Sequence, residues 1–464
     1  MPSKLIFLII CSTIVLCTLL YGAVHQPILS LFYLGTALIL ILWILDSISR
    51  GQLRYNTHPL QIPIIATILY GIIQIIPFGY IPDIAGVRDI PNTISIDPFA
   101  TKLSIMHFFA LLVYFSAVLT FVDSVKRLKK LVTLIIVFSF LYSFYAILQS
   151  VLSPGKIYGI YEVPLAQPFG SFVNRHNFAA FMEMSLAIPL GMLFAGVVPK
   201  DKRLLYITAI TLMAVALLLS GSRGGLVAFF AELLFLLFVT TDTKGSSQMF
   251  LKIALVIIFF VVTILGTIFV GGESTLTRIA ETAQSSDVTT NRLHIWSVTL
   301  KIISHYPIFG VGLGAFPQAY TKFDSLSGLE RVEQAHNDYL QVLSDAGIFG
   351  LIFAFIFVFY LVKTGIRGIK TTNNFRRAVA IGALSGCFAI LIHSIFDFVL
   401  HVTAIAVMFL TLCAIVVISG NSFPDDEPDK KHRKRKRKRK AELTAIDNPP
   451  ELEKHKESSD STEI

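Results

Sequence analysis

Twelve runs of apolar residues, each about long enough to cross a bilayer, restrict this chain more than any other feature. A hydrocarbon core asks for about 20 helical residues per crossing. It holds no water to satisfy a bare peptide group, so each run is expected to be a helix. The approximate limits of the first six are Lys4–Gly22, Pro27–Ile48, Pro59–Pro77, Ala100–Val122, Lys130–Leu152 and His176–Val198. The others are Leu204–Ser220, Gly224–Val239, Met249–Val270, Asp345–Leu361, Ala378–Phe396 and Val402–Gly420. The eighth is short and carries Glu232 near its middle.

Composition agrees with this pattern. Apolar residues make up 54% of the 464 positions and charged residues only 15%, more apolar surface than a soluble chain of this length needs. The fold class expected is an all-α polytopic membrane protein. Leu5–Leu20 follows a single Lys4 and precedes no small-residue cleavage site, so it reads as a retained span. Cys11, Cys17, Cys387 and Cys413 all fall inside apolar runs, where they suit core packing and not a metal site.

Short-loop cations set the expected orientation. With an inside N-terminus, the inner loops hold Arg50 and Arg54, then Lys126, Arg127, Lys129 and Lys130, then Lys200, Lys202 and Arg203. Lys244 follows, and then Lys363, Arg367, Lys370, Arg376 and Arg377. The outer turns at His25 and near His401 carry neither Lys nor Arg. The C-terminus then also lies inside, and topology accounts for most of the net charge of +9. Residues 421–464 carry the block DDEPDKKHRKRKRKRK from Asp425 onward and close on an acidic polar stretch. This reads as a disordered tail that either touches anionic headgroups or simply stays solvated. No aromatic or folded reader accompanies its charges, so no nucleic-acid partner is expected.

Three outer segments exceed a turn: Phe78–Phe99, an irregular proline-rich cap; Ser153–Arg175; and a large loop over residues 271–344. The stretch Thr289–Gly350 inside and beyond this loop is polar, aromatic and punctuated by glycine. Loops of more than about 15 residues are rarely idle. Leu293, Trp296, Leu300 and Ile303 recur there at helical spacing with Ile295, Val298 and Ile302, which predicts an amphipathic helix in the headgroup region. Thr289, Thr290 and Asn291 are its candidate N-caps. Arg292 falls in its first turn, where a cation opposes the helix dipole unless an anion shares the site.

Several groups have the chemistry for a site. In the turn Ser220-Gly221-Ser222-Arg223-Gly224-Gly225, glycines let a backbone approach a ligand and the Arg223 fork matches a pair of phosphate oxygens. The plainer alternative is a tight turn with Arg223 snorkelling to headgroups. His336 can accept a hydroxyl proton near neutral pH, oriented by Asp338 or Glu333; a loop histidine can equally be structural. Gly310-Val311-Gly312-Leu313-Gly314 lacks the strand and spacing of a dinucleotide loop and reads as a flexible bend. His393, Asp397 and His401 would lie along one helix face over about 12 Å, too far apart for one metal ion with ligands at about 2 Å. They read as a hydrogen-bonded helix cap. Glu183 and Glu232 are buried-acid candidates, since an acid within a span is a functional hypothesis by default.

Five stretches together resemble the O-antigen ligase/polysaccharide polymerase superfamily of bacterial inner-membrane proteins. They are PFGSFVNRHNFAAFMEM, LLSGSRGGLVAF, NRLHIWSVTLKIISHYPIFGVGLGAF, EQAHNDYLQVLSDAGIFG and HSIFDFVLH, in the family's order across residues 168–401. The resemblance implies about twelve spans with a large periplasmic loop holding an amphipathic helix. It also implies an O-antigen ligase-like core over 204–363, flanked by membrane helices over 1–203 and 364–420. The implied reaction moves a glycan from a polyprenyl-diphosphate (undecaprenyl-type) carrier to an acceptor hydroxyl on the periplasmic face, with no cofactor and no essential metal.

The family's arginine in the SRGG turn matches Arg223, its arginine at the start of the loop helix matches Arg292, and its loop histidine matches His336. Arg175 and Asn174 also match. The family more often has Asn-His where this chain has His176-Asn177. On this reading His336 is catalytic, Arg223, Arg292 and Arg175 bind the donor diphosphate, and Asn337 and Asp338 support them. The acceptor is lipid A-core (a lipopolysaccharide ligase), a carrier-linked repeat unit (a polymerase) or a protein hydroxyl. The rival class is a transporter of lipid-linked sugars, for which Glu232 is the clearest midplane charge.

Overall fold

The computed structural model describes residues 2–82, 86, 88–163, 166–240, 257, 261, 292–325, 331–421 and 423. In chain order the helices are α1 (Pro2–Leu19), α2 (Gln26–Arg50), α3 (Gln61–Gln74), α4 (Pro98–Phe121), α5 (Val125–Leu152), α6 (Arg175–Phe194), α7 (Arg203–Leu219) and α8 (Arg223–Thr240). After them come α9 (Arg292–His305), α10 (Phe316–Phe323), α11 (Asp338–Ile369), α12 (Asn374–His393) and α13 (Thr403–Gly420). A two-residue hairpin, β1 (Lys156–Ile157) with β2 (Tyr161–Glu162), interrupts the α5–α6 connection. Among the described residues, ten helices are long and apolar enough to cross a membrane. The protein is therefore an all-α, multi-pass membrane protein.

Eleven expected spans coincide with helices, though α3 has only 14 residues. The span expected at Met249–Val270 lies outside the described residues, apart from Ile257 and Val261. So do the candidate caps Thr289, Thr290 and Asn291, the first part of the large loop, and nearly all of the basic tail.

Small polar residues start several helices by accepting the amide hydrogens that no helical carbonyl can reach. Asp97 caps α4 at 3.1 and 3.0 Å from the nitrogens of Phe99 and Ala100. Asn174 caps α6 and Asn337 caps α11. The last two place Arg175, His176 and Asp338 at the outer mouth of the bundle. At the other end, Asp46 binds Arg54 at 2.8 Å, Arg54 binds Asp123 at 3.0 Å, and Asp123 binds Arg127 at 3.2 Å. This pairing ties α2, α4 and α5 together where the short-loop cations gather.

Helices α6, α12 and α13 form the centre and are almost wholly buried. Helices in lipid gain little from hydrophobic exclusion of each other, so they associate through close backbone packing at small residues. Gly191 and Gly382 supply it: a Cβ on either would overlap backbone of the other helix.

Helix α11 begins seven residues before the expected span and breaks at Gly347, whose φ is +57°. The break receives the glycine-rich run. The amides of Val311 and Gly312 donate to the carbonyls of Ser344 and Asp345 at 2.8 and 3.0 Å. Gln74 accepts from the Leu313 amide and donates to the carbonyls of Phe309 and Asp345, each at 3.0 Å. The expected bend at Gly310–Gly314 is present, but it is a hydrogen-bonded seam and not a flexible one.

Replacing Gly382 with Val inserts three carbons where only backbone faces it, and overpacking of this kind costs about 3 kcal/mol or more. The purified Gly382→Val protein is expected to unfold at least about 5 °C lower in detergent; Gly35→Val, at a position with open space around its Cα, serves as the control.

Candidate active site

One end of each of α6, α8, α9, α11 and α12 converges on one carboxylate. Helix α12 stops at His393, so Asp397 lies in the connection to α13 and is about 1% exposed. Its Oδ2 lies 3.0 Å from Arg292 Nη2, and its Oδ1 lies 3.0 Å from His336 Nδ1. His176 Nδ1 stands 3.9 Å from Oδ2 and 2.8 Å from Ser222 Oγ. Ser222 Oγ also accepts from the Gly225 amide at 3.2 Å and so caps α8. Arg175 precedes His176 and Arg223 follows Ser222 in the chain, so this hydrogen bond brings both arginines to the edge of the cluster.

Burial alone would raise the Asp397 carboxyl. The hydrogen bond from His336 and the electrostatic effects of His176 and Arg292 outweigh burial and hold it well below the usual carboxylate range. An ionised carboxylate can only accept, so Nδ1 of His336 carries a proton, and the neutral tautomer of this ring has its lone pair on Nε2. His336 has φ +49°, a left-handed backbone that a bulky residue adopts only under constraint. Its ring packs edge-on against Phe398 at 4.8 Å. Arg292 uses one N–H on the Phe396 carbonyl and one on Asp397. Three of the five donors of a guanidinium therefore remain for a ligand.

The orienting partner of His336 is neither of the expected carboxylates. Glu333 pairs with Arg331 at 2.7 Å. Asp338 binds His401 Nδ1 at 2.7 Å and accepts from the Leu400 amide at 3.1 Å. Asn337 caps α11 and donates to the Ile395 carbonyl at 2.9 Å. The two supporting residues thus clamp the loop that carries Asp397.

His393, Asp397 and His401 do not share a helix face, because the helix ends at the first of them. Each has a different partner. His393 Nδ1 lies 3.1 Å from both oxygens of Glu183, with both side chains fully buried. Gly224 and Gly225 make room for that imidazole and for Ala179, so these glycines serve helix packing and not the approach of a ligand. Glu232 is fully buried, and among the described residues neither of its oxygens has a hydrogen-bond partner. Arg175 lines a cavity of about 240 Å³ together with Gln167 and Ser220. Arg223 is exposed at the start of α8. Helix α9 buries Val298, Thr299 and Ile302 against the seam and α10, while Leu293 and Leu300 face outward.

The class these features define is a helical membrane protein with a cationic, histidine-bearing cluster at one mouth of its bundle. Residues 208–355 match the family model described as O-Antigen ligase. The match covers about a third of the chain and supports, for that segment, an O-antigen ligase/polymerase-like glycosyltransferase acting on lipid-linked glycan and acceptor substrates in general. No curated protein matches the chain. The matched segment holds Arg223, Arg292 and His336. Arg175, His176, Asp397 and His401 lie outside it and complete the cluster from α6 and the α12–α13 connection.

Two outcomes follow from this geometry. Asp397→Asn keeps the shape but leaves the Arg292 guanidinium uncompensated. Breaking one side of a buried pair costs about 3–5 kcal/mol, and Arg292, with 19% of its side chain exposed, falls at the lower end. A lower unfolding midpoint is expected; an unchanged one would remove Asp397 as the organising charge. For His401, burial alone would lower its pKa, but the hydrogen bond and charge of Asp338, with Asp345, raise it above the ordinary value. Its stabilising contribution is therefore complete below about pH 6.5 and is lost as pH rises through the raised value. Melting curves from pH 5 to 9 should show wild type exceeding His401→Gln at the acid end, with the gap closing toward the alkaline end.

Proposed function

We propose that the protein transfers a glycan from a polyprenyl-diphosphate carrier to an acceptor hydroxyl on the outer face of the bacterial inner membrane, with both termini in the cytoplasm. The observation that carries this reading is the single buried carboxylate that orients a histidine base and an arginine at once. Acyl or phosphoryl transfer would also use such parts, but the match of residues 208–355 to the O-Antigen ligase model supports glycosyl transfer.

In the proposed reaction His336 Nε2 takes the proton of the acceptor hydroxyl as its oxygen attacks the anomeric carbon. The bond from that carbon to the phosphate oxygen breaks, and its electron pair stays on the lipid diphosphate. Arg292, Arg223 and Arg175 meet the charge that builds on the departing oxygens. Attack opposite the leaving group inverts the anomeric centre. Asp397 fixes the tautomer of His336 and carries the counter-charge once Nε2 is protonated. None of these steps calls on a cofactor.

Lipid A-core is the acceptor we favour, in a surface-polysaccharide ligase; a carrier-linked repeat unit would make the protein a polymerase, and a protein hydroxyl an oligosaccharyltransferase. Purified protein in liposomes with a polyprenyl-diphosphate-linked oligosaccharide and lipid A-core should form the ligated product, read by gel and mass spectrometry. A ladder of lengthening carrier-linked chains would reassign it as a polymerase. Transport of labelled donor across the bilayer without any transfer would overturn the enzyme reading. His336→Ala and Arg292→Ala should each lower kcat/KM by about 10²-fold or more with normal membrane insertion. Full activity in either variant would sink the mechanism.

A further inference from the structure

The outer mouth carries a second concentration of constrained backbone, apart from Asp397. Among the described residues, five non-glycine residues have a left-handed backbone: Tyr21, Ala23, Asp89, Tyr158 and His336. Three of these meet in one aromatic patch. Tyr21, Gly22 and Ala23, with φ of +56°, +70° and +54°, turn the chain from α1 into α2; Tyr158, with φ of +57°, sits in the turn of the β1–β2 hairpin. Such conformations are costly and persist only where their surroundings impose them. The surroundings are on hand. The Tyr158 hydroxyl donates to the Leu19 carbonyl, and Ser171 Oγ donates to the Thr18 carbonyl at 2.6 Å. A Cβ on Gly22 would come within 2.7 Å of the Phe172 ring and 3.4 Å of Val402.

What this backbone presents is a set of rings. Tyr21 meets His25, Tyr158 and Tyr161 at centroid distances of 5.4, 5.9 and 5.3 Å, and His25 meets Tyr161 at 5.9 Å, all edge-on. Tyr158 and Tyr161 are 39% and 37% exposed. Lys156 and Glu162 pair at 2.6 Å across the hairpin and add exposed polar groups beside the rings. The base of the same hairpin supplies Gly155 and Val163 to the cavity that Gln167, Arg175 and Ser220 line. One hairpin therefore borders both the aromatic patch and the arginine end of the site.

We propose that Tyr21, His25, Tyr158 and Tyr161 form a carbohydrate-binding platform for sugar rings of the donor glycan that lie beyond the reacting sugar. This rests on the glycosyl-transfer reading above and deepens it. A pyranose offers an apolar face of C–H groups and a rim of hydroxyls. Partly exposed tyrosine faces match the first, and the phenol, imidazole, Lys156 and Glu162 groups match the second. A diphosphate finds little charge to bind here, since Lys156 is already paired with Glu162. Tyrosines that merely anchor a helix at the membrane interface require neither a left-handed turn nor a hairpin to set them.

The test uses the full-length protein in lipid nanodiscs and two donors on the same polyprenyl diphosphate, one with a complete oligosaccharide and one with a single sugar. Tyr161→Ala lies on the exposed hairpin and away from the bundle core. It should lower the preference for the long donor, the ratio of the two kcat/KM values, by about three- to tenfold, as expected for one aromatic contact. Tyr161→Phe, which keeps the ring, should retain the preference. A ratio unchanged in Tyr161→Ala, whether both donors suffer equally or neither does, overturns the platform and leaves an interfacial anchor. Saturation-transfer NMR with the delipidated oligosaccharide gives a readout without turnover: signal transfer should weaken in Tyr161→Ala, and equal transfer overturns the proposal. Wild-type protein that binds this oligosaccharide but turns over neither donor would place the failure in the glycosyl-transfer reading instead.

Discussion

The ionised carboxylate of Asp397 is the charge around which the outer mouth is built. A buried carboxylate survives only with donors on its oxygens, and here they come from α9 through Arg292 and from the loop before α11 through His336, with His176 of α6 close by. Helices distant in sequence are thereby held to one point. The same bonds decide the state of the residues that make them: His336 receives its tautomer, and Arg292 receives an anchor that leaves donors to spare. A site assembled around one shared charge is rigid, which suits a reaction in which charge develops on a leaving group.

That arrangement depends in turn on a bundle whose centre is packed by small residues. Gly191 against Gly382 lets α6 and α12 touch backbone to backbone, and the buried Glu183–His393 pair joins the same two helices near the mouth. The seam formed by Gly310–Gly314, Gln74 and the break at Gly347 performs the corresponding task for α11, fixing where its first turns point. Because α11 starts at Asp338 directly after the Asn337 cap, the position of His336 follows from the position of that helix end.

Much of the fold was legible along the chain because a bilayer imposes a length and a polarity on each crossing. Helix α9 was readable from the spacing of its apolar residues, whereas the cap roles of Asn174 and Asn337 became visible only with the helix starts they occupy. Of the site, Arg175, Arg223, Arg292 and His336 were legible as residue types in suggestive contexts, and the structure gathers them at one mouth. The partner of His336 was not legible. Asp338 and Glu333 were nearer in sequence, but Asp338 is turned to His401 and Glu333 to Arg331. Asp397 was visible only as one of three residues spaced four apart, a pattern that presumed a helix continuing past His393. His176 drew little notice because its neighbours in sequence do not reveal the Ser222 hydroxyl beside it.

The sequence by itself determined that this is a helical, multi-pass membrane protein and which cations and histidine have the chemistry for a site. Those properties are local: an apolar run of given length, a cap, a charge next to a span. Only the tertiary structure decided that Asp397, 61 positions from His336 and 105 from Arg292, is the carboxylate they share. Pairing across such separations is set by how helices pack and where α12 ends. A bidentate acceptor buried between helices is a property of that packing and has no signature in any one stretch of chain.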